Sequence, residues 1–125
     1  MVVVALLSIG ACEPTTTASL NCQSTTTTIS LPEELEETSG VTVSLSQPDV
    51  FWTHNDDGSV LTAMNSVGEI ISRIRIRPSL TDWEDIATSS CAGGKSCLYL
   101  ADTGDNLERR SAGEISIRRL EEPDL

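Results

Sequence analysis

The residues best equipped for chemistry lie between Thr81 and Asn106, in "TDWEDIATSSCAGGKSCLYLADTGDN". Asp82, Glu84 and Asp85 stand at one end, Asp102, Asp105 and Asn106 at the other, and Cys91 and Cys97 between. Oxygen donors of this kind suit a hard cation, Ca²⁺ ahead of Mg²⁺ where the loops carrying them are flexible. The same side chains also make Asx turns and cap loop amides. His54, in "WTHND", is the single histidine, so a multi-histidine zinc site drawn from this chain alone is excluded. It offers either a general base or a hydrogen-bonded structural group, and the second is favoured. No G-x-S-x-G elbow and no phosphate-cradling glycine loop occurs.

Charge narrows the partners. Acids outnumber bases 19 to 8, for a net charge of −11. That balance repels nucleic acid and anionic membrane surfaces and favours cations or basic partners. Every Lys and Arg lies at or after Arg73. Aromatics are limited to Phe51, Trp52, Trp83 and Tyr99, so a core must be mostly aliphatic.

The elements that position the acids read as short strands. "VTVS" (41–44), "VFWTHN" (50–55), "VLTAM" (60–64) and "IISRIRI" (70–76) are separated by turn compositions. In the last, Arg73, Arg75 and Arg77 alternate with Ile74 and Ile76, the pattern of a strand with one wet face. Those arginines read as a solvated outer strand or as an anion-binding stripe. A second set follows: "DIATS" (85–89), "CLYLAD" (97–102) and "EISIRRL" (114–120). A repeat of about 45 residues, with about four strands per unit, indicates propeller blades. The expected fold is therefore all-β: a partial β-propeller over 31–125, with one complete four-stranded blade and most of a second. Closure takes more blades than this. The expectation is a fragment or a chain completed by another, with an exposed sheet edge and apolar blade face.

Blade order brings the acids together. Successive strands are antiparallel, so the crossing "RPSLTDWEDIA" and the loops "HNDDGS" and "ADTGDNLERR" fall at one end. They carry Asn55, Asp56, Asp57, Asp82, Glu84, Asp85, Asp102, Asp105 and Asn106 there, and "LEETSG" adds Glu36 and Glu37. Gathered anions repel unless neutralised. The expected Ca²⁺-type site draws on Asp56, Glu84, Asp85, Asp102 and Asp105; the competing role is as ties between blades through backbone amides. Cys91 and Cys97 bracket a five-residue hairpin loop at the opposite end, where antiparallel neighbours come within disulfide reach. A bridge is expected there. The spacing is wrong for a C-x-x-C redox pair.

The blocks "LPEELEETSGVTVS…DVFWTHNDDG", "DWEDIA", "CLYLADTGDN" and "EISIRRLEEP" resemble, in this order, the opening of a family of secreted bacterial β-propeller lipoproteins, over about residues 31–123. That family is similar to six-bladed NHL-repeat, gluconolactonase-like and phytase-like propellers. The resemblance implies a fold rather than an activity.

The N-terminus points to export. "MVVVALLSIGAC" is an apolar run ending in small residues and a cysteine. It resembles a lipoprotein signal (1–11), with Cys12 the lipidated residue. The run is short and lacks a preceding base, so the true start is expected upstream. Ten of the sixteen residues 15–30 are Ser or Thr, and 12–30 reads as a flexible tether. The expected protein is exported to a bacterial envelope or secreted, and it meets the membrane through a lipid anchor only. The leading function is binding of a protein or glycan partner by an acidic, Ca²⁺-holding face. The alternative is a metal-dependent propeller hydrolase of the phytase-like or lactonase-like kind.

Overall fold

A computed structural model describes residues 26–108, 110, 111 and 114–125. The expected signal segment, the expected lipidation residue Cys12 and the tether's own cysteine, Cys22, lie outside the described residues. Among the described residues seven strands form: β1 (Thr38–Val43), β2 (Phe51–Asn55), β3 (Val60–Met64), β4 (Ile70–Arg75), β5 (Asp85–Cys91), β6 (Lys95–Asp102) and β7 (Ser116–Glu121). They make two antiparallel sheets, β1-β2-β3-β4 and β5-β6-β7, each in chain order. The all-β expectation therefore holds, and neither sheet closes on itself.

Strand boundaries follow the expected β runs with extensions: β5 runs on to Cys91 and β6 starts at Lys95, so the expected five-residue hairpin loop is reduced to Ala92–Gly94, and β1 starts early. β1 begins at Thr38, ahead of "VTVS", because Thr38 and Gly40 pair with Asn55 and His54 across a register irregularity. Gly40 is required by contact. A Cβ there would lie 2.8 Å from the His54 Nε2 and 3.0 Å from the Ile86 amide nitrogen. β4 alternates half-buried and exposed positions, as its Ile/Arg alternation predicts.

The sheets pack face to face. Trp52, Leu61 and Ala63 from the first meet Ile86, Leu98 and Leu100 from the second, with Leu80 and Trp83 of the crossing segment between them. Trp52 and Trp83 are both fully buried. Polar contacts register β1 against β5: the Thr42 and Thr88 hydroxyls lie 2.7 Å apart, and Thr88 Oγ1 donates to the Val43 carbonyl at 2.8 Å. The outward faces keep apolar residues in solvent, Val41 and Val43 on β1 and Ile117 on β7 among them.

At the hairpin between β5 and β6, Cys91 and Cys97 form a disulfide with Cα atoms 5.8 Å apart. Ser89 lies opposite Cys97 and Cys91 opposite Lys95, so the bridge runs diagonally across the ladder. Among the described residues no helix is long and apolar enough to cross a membrane.

Candidate functional site

Four chain segments converge at the end of the sheets away from the disulfide. The segment before β1 brings Glu37, the β2–β3 turn brings Asp56 and Asp57, and the crossing into β5 meets the loop after β6. Together they line an open hollow of about 260 Å³ that includes Glu37, Asp56, Asp57, Asp82, Asp105 and Asn106. The Asp56 amide donates to the Glu37 carbonyl at 3.2 Å, which fixes the first two segments together.

Within this hollow the carboxylates of Glu37, Asp56 and Asp57 each place an oxygen within 4.8 Å of the others. Glu37 and Asp57 are exposed and Asp56 is half-buried. The negative charges of Asp56, then Asp57, raise the Glu37 carboxyl above its usual range, the expected signature of anions held together with no compensating base among the described residues.

The remaining acids are engaged differently. Asp102 is 2% exposed and closes the gap between β6 and the crossing segment. Its carboxylate accepts the Thr81 amide at 3.2 Å and the Asp82 amide at 3.0 Å, and it pairs with Arg110. Arg118 stands 3.9 Å off. Burial pushes the Asp102 carboxyl up, but the Asp82 amide, the Arg110 guanidinium and the Thr81 amide outweigh it and hold the group below its ordinary value. Asp82 Oδ2 accepts the Asn106 amide at 2.9 Å, and Asp105 Oδ1 accepts the Arg110 amide at 3.1 Å. Asp85 accepts the amide of its neighbour Ile86 at 2.8 Å. Glu84 lies over Gly104: a Cβ on that glycine would collide with the Glu84 carboxylate and sit 2.7 Å from Asp82 Oδ1. Of the five residues expected to ligate, the close group thus contains Asp56; Glu84, Asp85, Asp102 and Asp105 sit in or beside the neighbouring loop contacts. Glu37 and Asp57, which blade order carries to the same end, complete the group.

His54 is fully buried and stacks on Trp83, with ring centroids 3.9 Å apart and planes 25° from parallel. Nδ1 lies 2.9 Å from the Asn55 carbonyl, while Nε2 is buried without a hydrogen-bond partner. Burial lowers its pKa, so the ring is held neutral.

A further carboxylate gives no signal in the sequence. Glu122, just after β7, reads as one more acid in "EEPD", yet it is 6% exposed. Its Oε1 accepts the Trp52 indole N–H at 2.8 Å and also the Ser44 hydroxyl. Burial pushes it up, but the accepted hydrogen bonds, led by Ser44, hold it at about 2. Gln47 extends this tie, donating to the Pro123 carbonyl at 2.9 Å and accepting the Leu125 amide at 3.0 Å.

Comparison with protein-family models, curated proteins and solved structures finds no match to this chain.

Proposed function

We propose that this chain is part of an exported, envelope-tethered β-propeller binding module whose acidic end takes up a Ca²⁺-type cation and presents it to a protein or glycan partner. The observation that carries the reading is the convergence of Glu37, Asp56 and Asp57, three carboxylates from two separate segments, within 4.8 Å. Oxygen-only donors on loops suit Ca²⁺, whose coordination is flexible and can be completed by water and by oxygens of the same hollow. Two meanders that follow one another in the chain, with β1 and β5 side by side, support blade-like packing. The disulfide fits an oxidising compartment, which supports export. Attachment through Cys12 then holds the module at a membrane by lipid alone. The net charge of −11 argues against nucleic acid as a partner.

The metal-dependent hydrolase, phytase-like or lactonase-like, takes second place. It needs an accessible acid–base group, and His54 is sealed beneath Trp83. Calorimetric titration of the full-length protein with Ca²⁺ tests the reading. Saturable heat that Asp56→Asn removes is the expected result. No heat from the unmodified protein would end the cation reading.

A further inference from the structure

Basic side chains in so acidic a chain should find acids, and four of the seven described ones do. Arg73 pairs with Glu34, Lys95 with Glu121, and Arg110 and Arg118 with Asp102. Among the described residues, Arg75, Arg77 and Arg119 have no acid within salt-bridge distance. Arg119 lies on the exposed face of β7, away from the residues that line the hollow described next. Arg75 and Arg77 share the exposed face at the end of β4, and both line one open hollow of about 430 Å³ with Gly58, Ser59, Ser79 and Leu80.

The hollow is built rather than incidental. Ser59, 5% exposed, sits at its base. Its hydroxyl accepts the Leu80 amide at 2.8 Å, and its carbonyl accepts the Ile76 amide at 2.8 Å, so the strand end and the crossing segment are pinned to one residue. Arg118 braces the outer wall, donating to the Pro78 carbonyl at 2.6 Å and the Ser79 carbonyl at 3.1 Å. Its charge is thereby held behind the same wall. Two arginines without an acidic partner among the described residues, Arg75 and Arg77, therefore line one open depression.

We propose that this hollow is an anion site for a sulfate or phosphate monoester, held between the guanidinia of Arg75 and Arg77. Guanidinium forks form charge-assisted, often bidentate hydrogen bonds to such groups. A tetrahedral oxyanion presents oxygens in several directions and can meet two forks at once. A planar carboxylate has only two oxygens and a single charge, so it meets two forks less fully. The overall negative charge of the chain repels other polyanions, so binding is confined to this hollow and falls with salt.

The test is calorimetric titration of the full-length protein at low ionic strength with phenyl phosphate, phenyl sulfate and acetate. The esters should bind and acetate should not, and whichever ester binds more tightly identifies the source of the oxyanion. Joint Arg75→Ala and Arg77→Ala substitution should weaken ester binding at least about tenfold, the loss expected for a charge-assisted pair. Arg75→Ala alone, which leaves the crossing segment untouched, should weaken it measurably. Arg119→Ala should bind as the unmodified protein does. The proposal is overturned if neither ester binds, if acetate binds equally, or if Arg119→Ala loses as much as the double substitution.

Discussion

Two groups of acids at the same end of the molecule have opposite fates. Asp102 is buried, accepts two backbone amides and faces Arg110, and its carboxyl lies below the ordinary range. Glu37 and Asp57 are exposed, Asp56 is half-buried, the three lie close to one another, and the Glu37 carboxyl lies above it. The difference does not reside in the acids. It resides in what the adjoining loops deliver. The long loop after β6 returns Arg110 over Asp102, and the short β2–β3 turn has no base to return. One acid is therefore a tie that the fold completes by itself. The other three form a cluster that a cation from solution would complete.

Removing the cation from the closed tie should do the greatest damage. Arg110→Ala leaves the Asp102 charge buried beside a more distant Arg118, and breaking such a pair costs about 3–5 kcal/mol. Urea unfolding monitored by tryptophan fluorescence should show a correspondingly lower midpoint. A change below about 1 kcal/mol would mean that the two acidic regions are not as different as their surroundings imply.

Glu122 repeats the closed arrangement at the other end, through hydroxyl and indole donors instead of guanidinium. Its pKa is depressed to about 2, so its contribution is present above the ordinary glutamate value of 4.5 and is lost as pH falls through about 2. Glu122→Gln should cost about 2 kcal/mol at neutral pH and flatten that acid limb. His54 adds a separate loss at higher pH. Its lowered pKa means that below 6.5 the unfolded chain gains a proton that the native ring refuses, and stability declines. Stability measured from pH 7 to 2 should therefore fall in two stages, and Glu122→Gln should remove part of the lower one only.

Much of this division was legible in the sequence, and the unread part has a common cause. Alternation in "IISRIRI" and the β runs around "WTHN" and "CLYLAD" report local periodicity, which the strands realise directly. The Cys91–Cys97 bridge needs only a hairpin. Arg110 and Glu122 carry no local mark. Trp52 stands 70 residues before Glu122, so its burial depends on how the two sheets pack, which no window of sequence contains. Glu37 and Asp57 were carried to the acidic end by strand order, but their grouping with Asp56 depends on one backbone hydrogen bond between segments.

Calcium should separate the two regions by smaller effects. At about ten times its dissociation constant, a ligand bound only by the native state adds about 1.4 kcal/mol. The melting temperature of the unmodified protein should rise with Ca²⁺. Asp56→Asn should abolish the rise, whereas Glu122→Gln should lower the baseline and keep it. A rise that survives Asp56→Asn would place the cation elsewhere.

The smallest effect has the most diagnostic sign. The pKa of Glu37 is raised chiefly by Asp56 and Asp57, so its charge opposes folding at neutral pH, and that opposition is relieved as pH falls through its native pKa. Neutralising it by Glu37→Gln should thus raise the melting temperature slightly without Ca²⁺ and lower it relative to the unmodified protein with Ca²⁺. A solvated carboxylate with no ligand role would give the same ranking under both conditions. The crossover, read by paired melts at pH 7, separates a cluster that waits for a cation from one that merely tolerates its own repulsion.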